Sequence, residues 1–135
     1  MAITFVIGVS PEKTRKETVL AFEPELRDYL RRVSAGGGVS ADDLTGLDPY
    51  GDSRFEGERL SHLERGVGEL LSMFEAMYQR TILPPEWEPP ATVGLETEPE
   101  GKPFGRAGVL QFLRSLKKLC REAQKEGVVL LAIGD

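Results

Sequence analysis

The chain is short of the residues that many small enzymes and metalloproteins rely on. In 135 residues it holds one cysteine, one histidine and one tryptophan. Cys120 alone cannot close an internal disulfide, which fits a reducing, cytoplasmic setting. With one His and one Cys a zinc site is not expected, and no cofactor motif is present. A Ser–His–Asp or Cys–His catalyst would have to use His62, and no Gly-x-Ser-x-Gly turn presents a nucleophile. No apolar run approaches the ~18 residues of a membrane span. The opening Met1-Ala2-Ile3-Thr4-Phe5-Val6 lacks the basic start and cleavage site of a signal peptide. Basic residues are in deficit, giving a formal net charge of −5. That charge opposes binding to phosphate backbones and favours encounter with a basic protein, although solubility alone also accounts for it. Gly36-Gly37-Gly38 is not followed by Gly-Lys-Ser/Thr, so it reads as a flexible loop rather than a phosphate cradle.

Apolar periodicity is abundant. Leu60, Leu63, Val67, Leu70, Leu71, Phe74 and Met77 recur at helical spacing and predict a long helix over residues 55–79. Ser53 and Glu56 have the spacing of a capping box ahead of it, and Pro49 and Gly51 suit a tight turn with positive φ at Gly51. Gly66 and Gly68, beside Val67, suggest either close approach of another backbone or a kink. A second helix is expected over 105–126, with Val109, Phe112, Leu113, Leu116, Leu119, Cys120 and Ala123 inward and Gly127 as its stop. A shorter helix is expected over 25–33, opened by Pro24, and Ser40 with Asp43 repeats the capping-box spacing.

Strands are expected over 3–9, 18–22 and 128–133, the last wholly apolar and therefore central. Between the long helices, residues 82–104 carry Pro84, Pro85, Pro89, Pro90, Pro99 and Pro103 interleaved with Glu86, Glu88, Glu96, Glu98 and Glu100. No helix or central strand tolerates that proline density, so an extended acidic surface loop is expected, pinned by Trp87 and by residues 93–95, which could add a strand. The predicted fold is α+β: one domain over 1–135, with a small, mostly antiparallel sheet of about three strands packed against two long helices.

Chemistry-bearing residues cluster around the turn ahead of the long helix. Asp42, Asp43, Asp48, Asp52, Glu56 and Glu58 are close in sequence, but their spacing is not that of a calcium loop, and capping or turn formation accounts for Asp48 and Asp52. A divalent ion bound there, or a small carboxylate- or metal-dependent enzyme at the Asp48–Asp52 turn, is the alternative. Tyr50, Phe55 and Trp87 lie in or beside loops near acidic residues. They suit either a hot spot for a basic protein or staples holding loops to the core. Asp135 ends the chain after Gly134, where a returning last strand would bring it near Asp48.

The segment Leu47-Asp48-Pro49-Tyr50-Gly51-Asp52-Ser53-Arg54-Phe55 resembles a grouping of small, largely uncharacterised bacterial proteins. These have Leu-Asp-Pro-Tyr-Gly-Asp-Thr-x-Phe before a long helix and close on Gly-Asp, as Gly134-Asp135 does here. Ser53 stands where Thr is usual, and the proline stretch is longer than the expected link. The resemblance implies an immunity-protein-like role: a non-catalytic cytoplasmic protein that occludes a basic partner such as a cognate toxin. Asp48, Tyr50, Asp52, Phe55, Glu86, Trp87, Glu88 and Asp135 are then the expected partner-binding residues, without a cofactor or metal. A structural subunit of a homo-oligomer is a further reading.

Overall fold

The computed structural model describes residues 3–10, 13–14, 20–37, 42–47, 51–93 and 102–134. In chain order the elements are β1 (Ile3–Ser10), β2 (Lys13–Thr14), β3 (Leu20–Phe22), α1 (Pro24–Gly37), α2 (Asp42–Thr45), β4 (Asp52–Phe55), α3 (Gly57–Met77), a 3₁₀ turn (Pro85–Trp87), β5 (Thr92–Val93), β6 (Lys102–Pro103), α4 (Gly105–Glu126) and β7 (Val129–Gly134).

The main sheet is antiparallel throughout, and the architecture is α+β as the sequence predicts. β1 has β7 along one side, and β2 and β3 at the two ends of the other. β4 lies beyond β7, so β7 is central. The last strand thus returns beside the first, with Ile3 opposite Gly134 and Gly8 opposite Val129. Alternation divides the central strands cleanly. Ile3, Phe5, Ile7, Leu130 and Ala132 face the helices and join the principal core. Val6, Val129, Leu131 and Ile133 form a second apolar cluster, within which Val6, Val129 and Leu131 are buried.

α3 and α4 cover the inner face. Arg121 Nε donates to Glu64 at 3.0 Å, Gln124 Nε2 to Ser61 at 3.2 Å, and Arg114 lies 3.9 Å from Glu75. As one partner rises in number the other falls, so the two helices run antiparallel. Phe5, Phe22 and Phe112 meet between helix and sheet, with Phe22 and Phe112 stacked at 5.0 Å. α4 ends as its sequence requires: Gly127 takes φ 66°, and Val128 N–H returns to the Ala123 carbonyl at 3.0 Å.

The turn ahead of α3 differs from the sequence expectation. Residues 52–55 form an edge strand, with Ser53 opposite Ala132 and Phe55 opposite Leu130. Ser53 is therefore not the helix cap. The residue preceding α3 is Glu56, in extended conformation and without a side-chain capping bond. Pairing with β7 ties up the backbone of 52–55, and the chain turns into the helix at Gly57, which has φ 57°. Among the described glycines Gly51 does not have positive φ; its carbonyl accepts the Gly134 N–H at 3.0 Å. α1 starts at Pro24 as expected and extends past Val33 to Gly37. α2 places Leu44 in the core, and Arg31 Nη2 donates to the Thr45 carbonyl at 2.8 Å. Ser40 lies outside the described residues.

Neither Gly66 nor Gly68 admits a neighbouring backbone, and α3 is continuous across both. A Cβ at Gly66 would meet nothing within 4 Å, and one at Gly68 would meet only the tip of Lys117 at 3.5 Å. Gly66→Ala should therefore raise unfolding free energy by about 0.5–1 kcal/mol, through helix propensity and a less flexible unfolded chain, as measured by urea denaturation. A destabilised variant would mean that Gly66 serves a contact.

Candidate binding surface

The stretch joining α3 to α4 is more structured than a plain surface loop. Pro84 and Pro85 supply fixed φ at the start of the 3₁₀ turn, where Trp87 N–H donates to the Pro84 carbonyl at 2.9 Å. β5 and β6 then pair as a short hairpin, Thr92 opposite Pro103. Phe104 N–H bonds to Ala91 at 2.7 Å and Gly105 N–H to Pro90 at 2.9 Å, so the hairpin closes directly onto the start of α4. Residues 94–101, including Leu95 and Glu96, Glu98 and Glu100, are outside the description.

Two side-chain devices hold this segment against the helices. The first is a tyrosine pair. Tyr29 stands on the buried face of α1 with Leu26, Leu30 and Val33, and Tyr78 follows the last turn of α3, one turn beyond Phe74. Their hydroxyls are 2.7 Å apart, and Tyr29 donates to the Trp87 carbonyl at 2.5 Å. A carbonyl only accepts, so the Tyr29 proton goes to Trp87 and the Tyr78 proton goes to Tyr29. Burial pushes the Tyr29 hydroxyl up to about 12, and burial, reinforced by the bond to Tyr29, drives Tyr78 further in the same direction.

The second device is Arg106, in the first turn of α4. Its guanidinium forks to the Glu88 carboxylate, with Nε 3.1 Å from Oε2 and Nη2 on Oε1. It also donates to the Arg80 carbonyl at 2.7 Å and lies 5.6 Å from the centre of the Tyr78 ring. The Arg106 hydrogen bonds hold the Glu88 carboxyl below the usual carboxylate range. A planar, five-donor head is required to serve all these acceptors together. Arg106→Lys should therefore behave much like Arg106→Ala: a lower melting temperature and a red-shifted emission from Trp87, the only tryptophan. Full rescue by Lys would show that charge alone matters.

The expected partner-binding residues have different fates. Glu86 is exposed and Trp87 half-buried on the 3₁₀ turn, so these two do share a surface. Glu88 is beside them but is engaged by Arg106. Asp52 is exposed on edge strand β4, a separate part of the fold. Phe55 is fully buried in the core and has no place on a binding surface. Asp48, Tyr50 and Asp135 lie outside the described residues.

Sequence reading did not single out Tyr29, Tyr78 or Arg106. Arg106 carried one signal: a cation in the first turn of a helix opposes the dipole and calls for another reason to be there. Ile82 is 84% exposed, the one large apolar side chain so open among the described residues. Behind Trp87, Val33, Met73, Ala76, Met77 and Arg80 complete a pocket of about 300 Å³.

Cys120 is buried on the inner face of α4, and burial, aided by Glu64, pushes its thiol up to about 12. His62 is exposed on α3 and pairs through Nδ1 with Asp43 of α2. No group of three or more His, Cys, Asp or Glu side chains suited to a metal occurs among the described residues. No helix among them is long and apolar enough to cross a membrane. Comparison with protein-family models, characterised proteins and solved structures finds no match to this chain.

Proposed function

We propose that the protein is a non-catalytic binding protein that meets a protein partner on the outer face of the segment between α3 and α4. The observation that carries this reading is Ile82, 84% exposed beside a turn whose backbone is fixed by Tyr29 and Arg106. An apolar side chain presented on a rigid support loses little freedom on binding, which is what a hot-spot anchor requires. Glu86 is exposed on the 3₁₀ turn that follows, and the net charge of −5 favours a basic partner. The resemblance at Leu47–Phe55 adds the biological context: a cytoplasmic, toxin-neutralising immunity protein whose partner is the cognate toxin.

The test is affinity capture with tagged wild-type protein, Ile82→Glu and Glu86→Lys, followed by affinity measurement on the partner identified. A basic protein should be captured by wild type, with Ile82→Glu abolishing capture and Glu86→Lys weakening it, while all three melt alike. Binding should also weaken with added salt. A partner captured equally by all three would place the interface elsewhere.

A further inference from the structure

We infer that the pocket behind Trp87 binds a small amphipathic carboxylate: a medium-chain or aryl-alkanoic acid with its tail against Met73, Met77 and Trp87 and its carboxylate on Arg80. This does not rest on the protein-docking reading, which uses the outward Ile82 and Glu86 rather than the pocket walls.

Three features support it. The walls are apolar and adaptable: Val33, Ala76 and the Trp87 ring are joined by two methionines, whose unbranched side chains reshape around an apolar guest. The pocket is preformed, because Tyr29 fixes the Trp87 carbonyl and Arg106 fixes the neighbouring Arg80 carbonyl. At about 300 Å³ it is at the small end of ligand sites, suited to a molecule of roughly a dozen heavy atoms rather than a long lipid.

The wall carries one charge, and it is cationic. Arg80 has its backbone carbonyl engaged by Arg106, but its guanidinium makes no ion pair with any described residue. Arg32, 5.8 Å from the Tyr29 ring centre, is not part of the wall, so Arg80 is its only charged member. Of the nearby carboxylates, Glu88 is held by Arg106 and Glu75 leans toward Arg114. Glu86, on the 3₁₀ turn, is not part of the pocket wall. The unspent charge at the pocket is therefore positive, complementary to a carboxylate and opposed to an amine.

Trp87 is the chain's only tryptophan, so its emission reports on this pocket. The full-length protein would be titrated with octanoate, octan-1-ol and octylamine, each below its aggregation concentration. Octanoate should give a saturable change, the alcohol should bind about tenfold more weakly, and the amine more weakly still. From hexanoate to octanoate each added methylene should tighten binding roughly fourfold. Arg80→Gln should reduce octanoate to the affinity of the alcohol and leave the alcohol unchanged. Ala76→Phe, at an exposed helix position, should fill the pocket and abolish binding of both. A non-saturating response, equal affinity for acid, alcohol and amine, or an Arg80→Gln variant that binds octanoate like wild type would each overturn the assignment. Loss of partner capture in Ile82→Glu with octanoate binding intact would separate this site from the protein-docking surface.

Discussion

Phe55→Ala should lower the free energy of unfolding by about 3–5 kcal/mol, among the largest effects available from a single side chain here. The ring is fully buried, and its strand partner across the sheet is Leu130, itself buried in the centre. The Arg59 guanidinium lies 4.5 Å from the ring centre and donates to the Arg54 carbonyl at 2.9 Å, so it covers the edge strand as well as the ring. Removing the ring leaves a cavity and strips that guanidinium of its platform. Phe55→Leu keeps most of the volume and should cost less than half as much. Urea denaturation of both variants decides between two roles for the residue. A surface aromatic kept for partner binding would lose under about 1 kcal/mol on truncation. A core residue that fixes β4 to β7 should lose several times that.

Phe55 also shows where the sequence was hard to read. Asp52-Ser53-Arg54-Phe55 does alternate, with Ser53 and Phe55 toward the core side and Asp52 and Arg54 outward. Four residues with one large apolar side chain give too short an alternation to stand out. The same letters, Ser53 and Glu56 three apart after Pro49 and Gly51, fit a capped helix start equally well. What decided the outcome was a partner strand far along the chain, and no local pattern records that. The long helices were legible because their apolar residues repeat over several turns. β7 was legible because six consecutive apolar residues before the end leave little room for any other reading.

The candidate site was legible in part. Among the described residues of 82–104 there is no α-helix or central strand, as proline density predicts, only a 3₁₀ turn and a two-stranded hairpin, and Trp87 and Glu86 do lie together at the surface. Pro103 sits in a strand only because its hairpin has two strands, where an absent N–H is tolerated. The contacts that make the segment rigid could not be read in advance. Tyr29 stands on α1 and Tyr78 just past the end of α3, and packing brings them together. Each reads locally as an ordinary member of an apolar face.

That pair supports the second large prediction. Tyr29→Phe keeps the ring and deletes the central hydroxyl, leaving the Trp87 carbonyl without its donor and the Tyr78 hydroxyl without its acceptor. Each orphaned group should cost about 1–3 kcal/mol, and Trp87 emission should shift red as the 3₁₀ turn loosens. Tyr78→Phe is milder, because Tyr29 can still donate to Trp87; about 1 kcal/mol is expected. The same network sets a pH dependence. In the unfolded chain both hydroxyls ionise near 10.0, while in the fold Tyr29 is pushed up to about 12 and Tyr78 higher still. Between those values the folded chain holds more protons than the unfolded one, so this stabilisation is complete below pH 10 and declines as pH rises toward 12. Cys120, raised to about 12 from 9.0, adds a slope of the same sign in wild type and variants alike, so it cancels when they are compared. The double variant Tyr29→Phe/Tyr78→Phe should therefore start less stable at pH 8 and lose less on the way to pH 11. Equal losses in wild type and double variant across that range would mean that the two hydroxyls are not buried together, and that the turn carrying Trp87 is held by Arg106 alone.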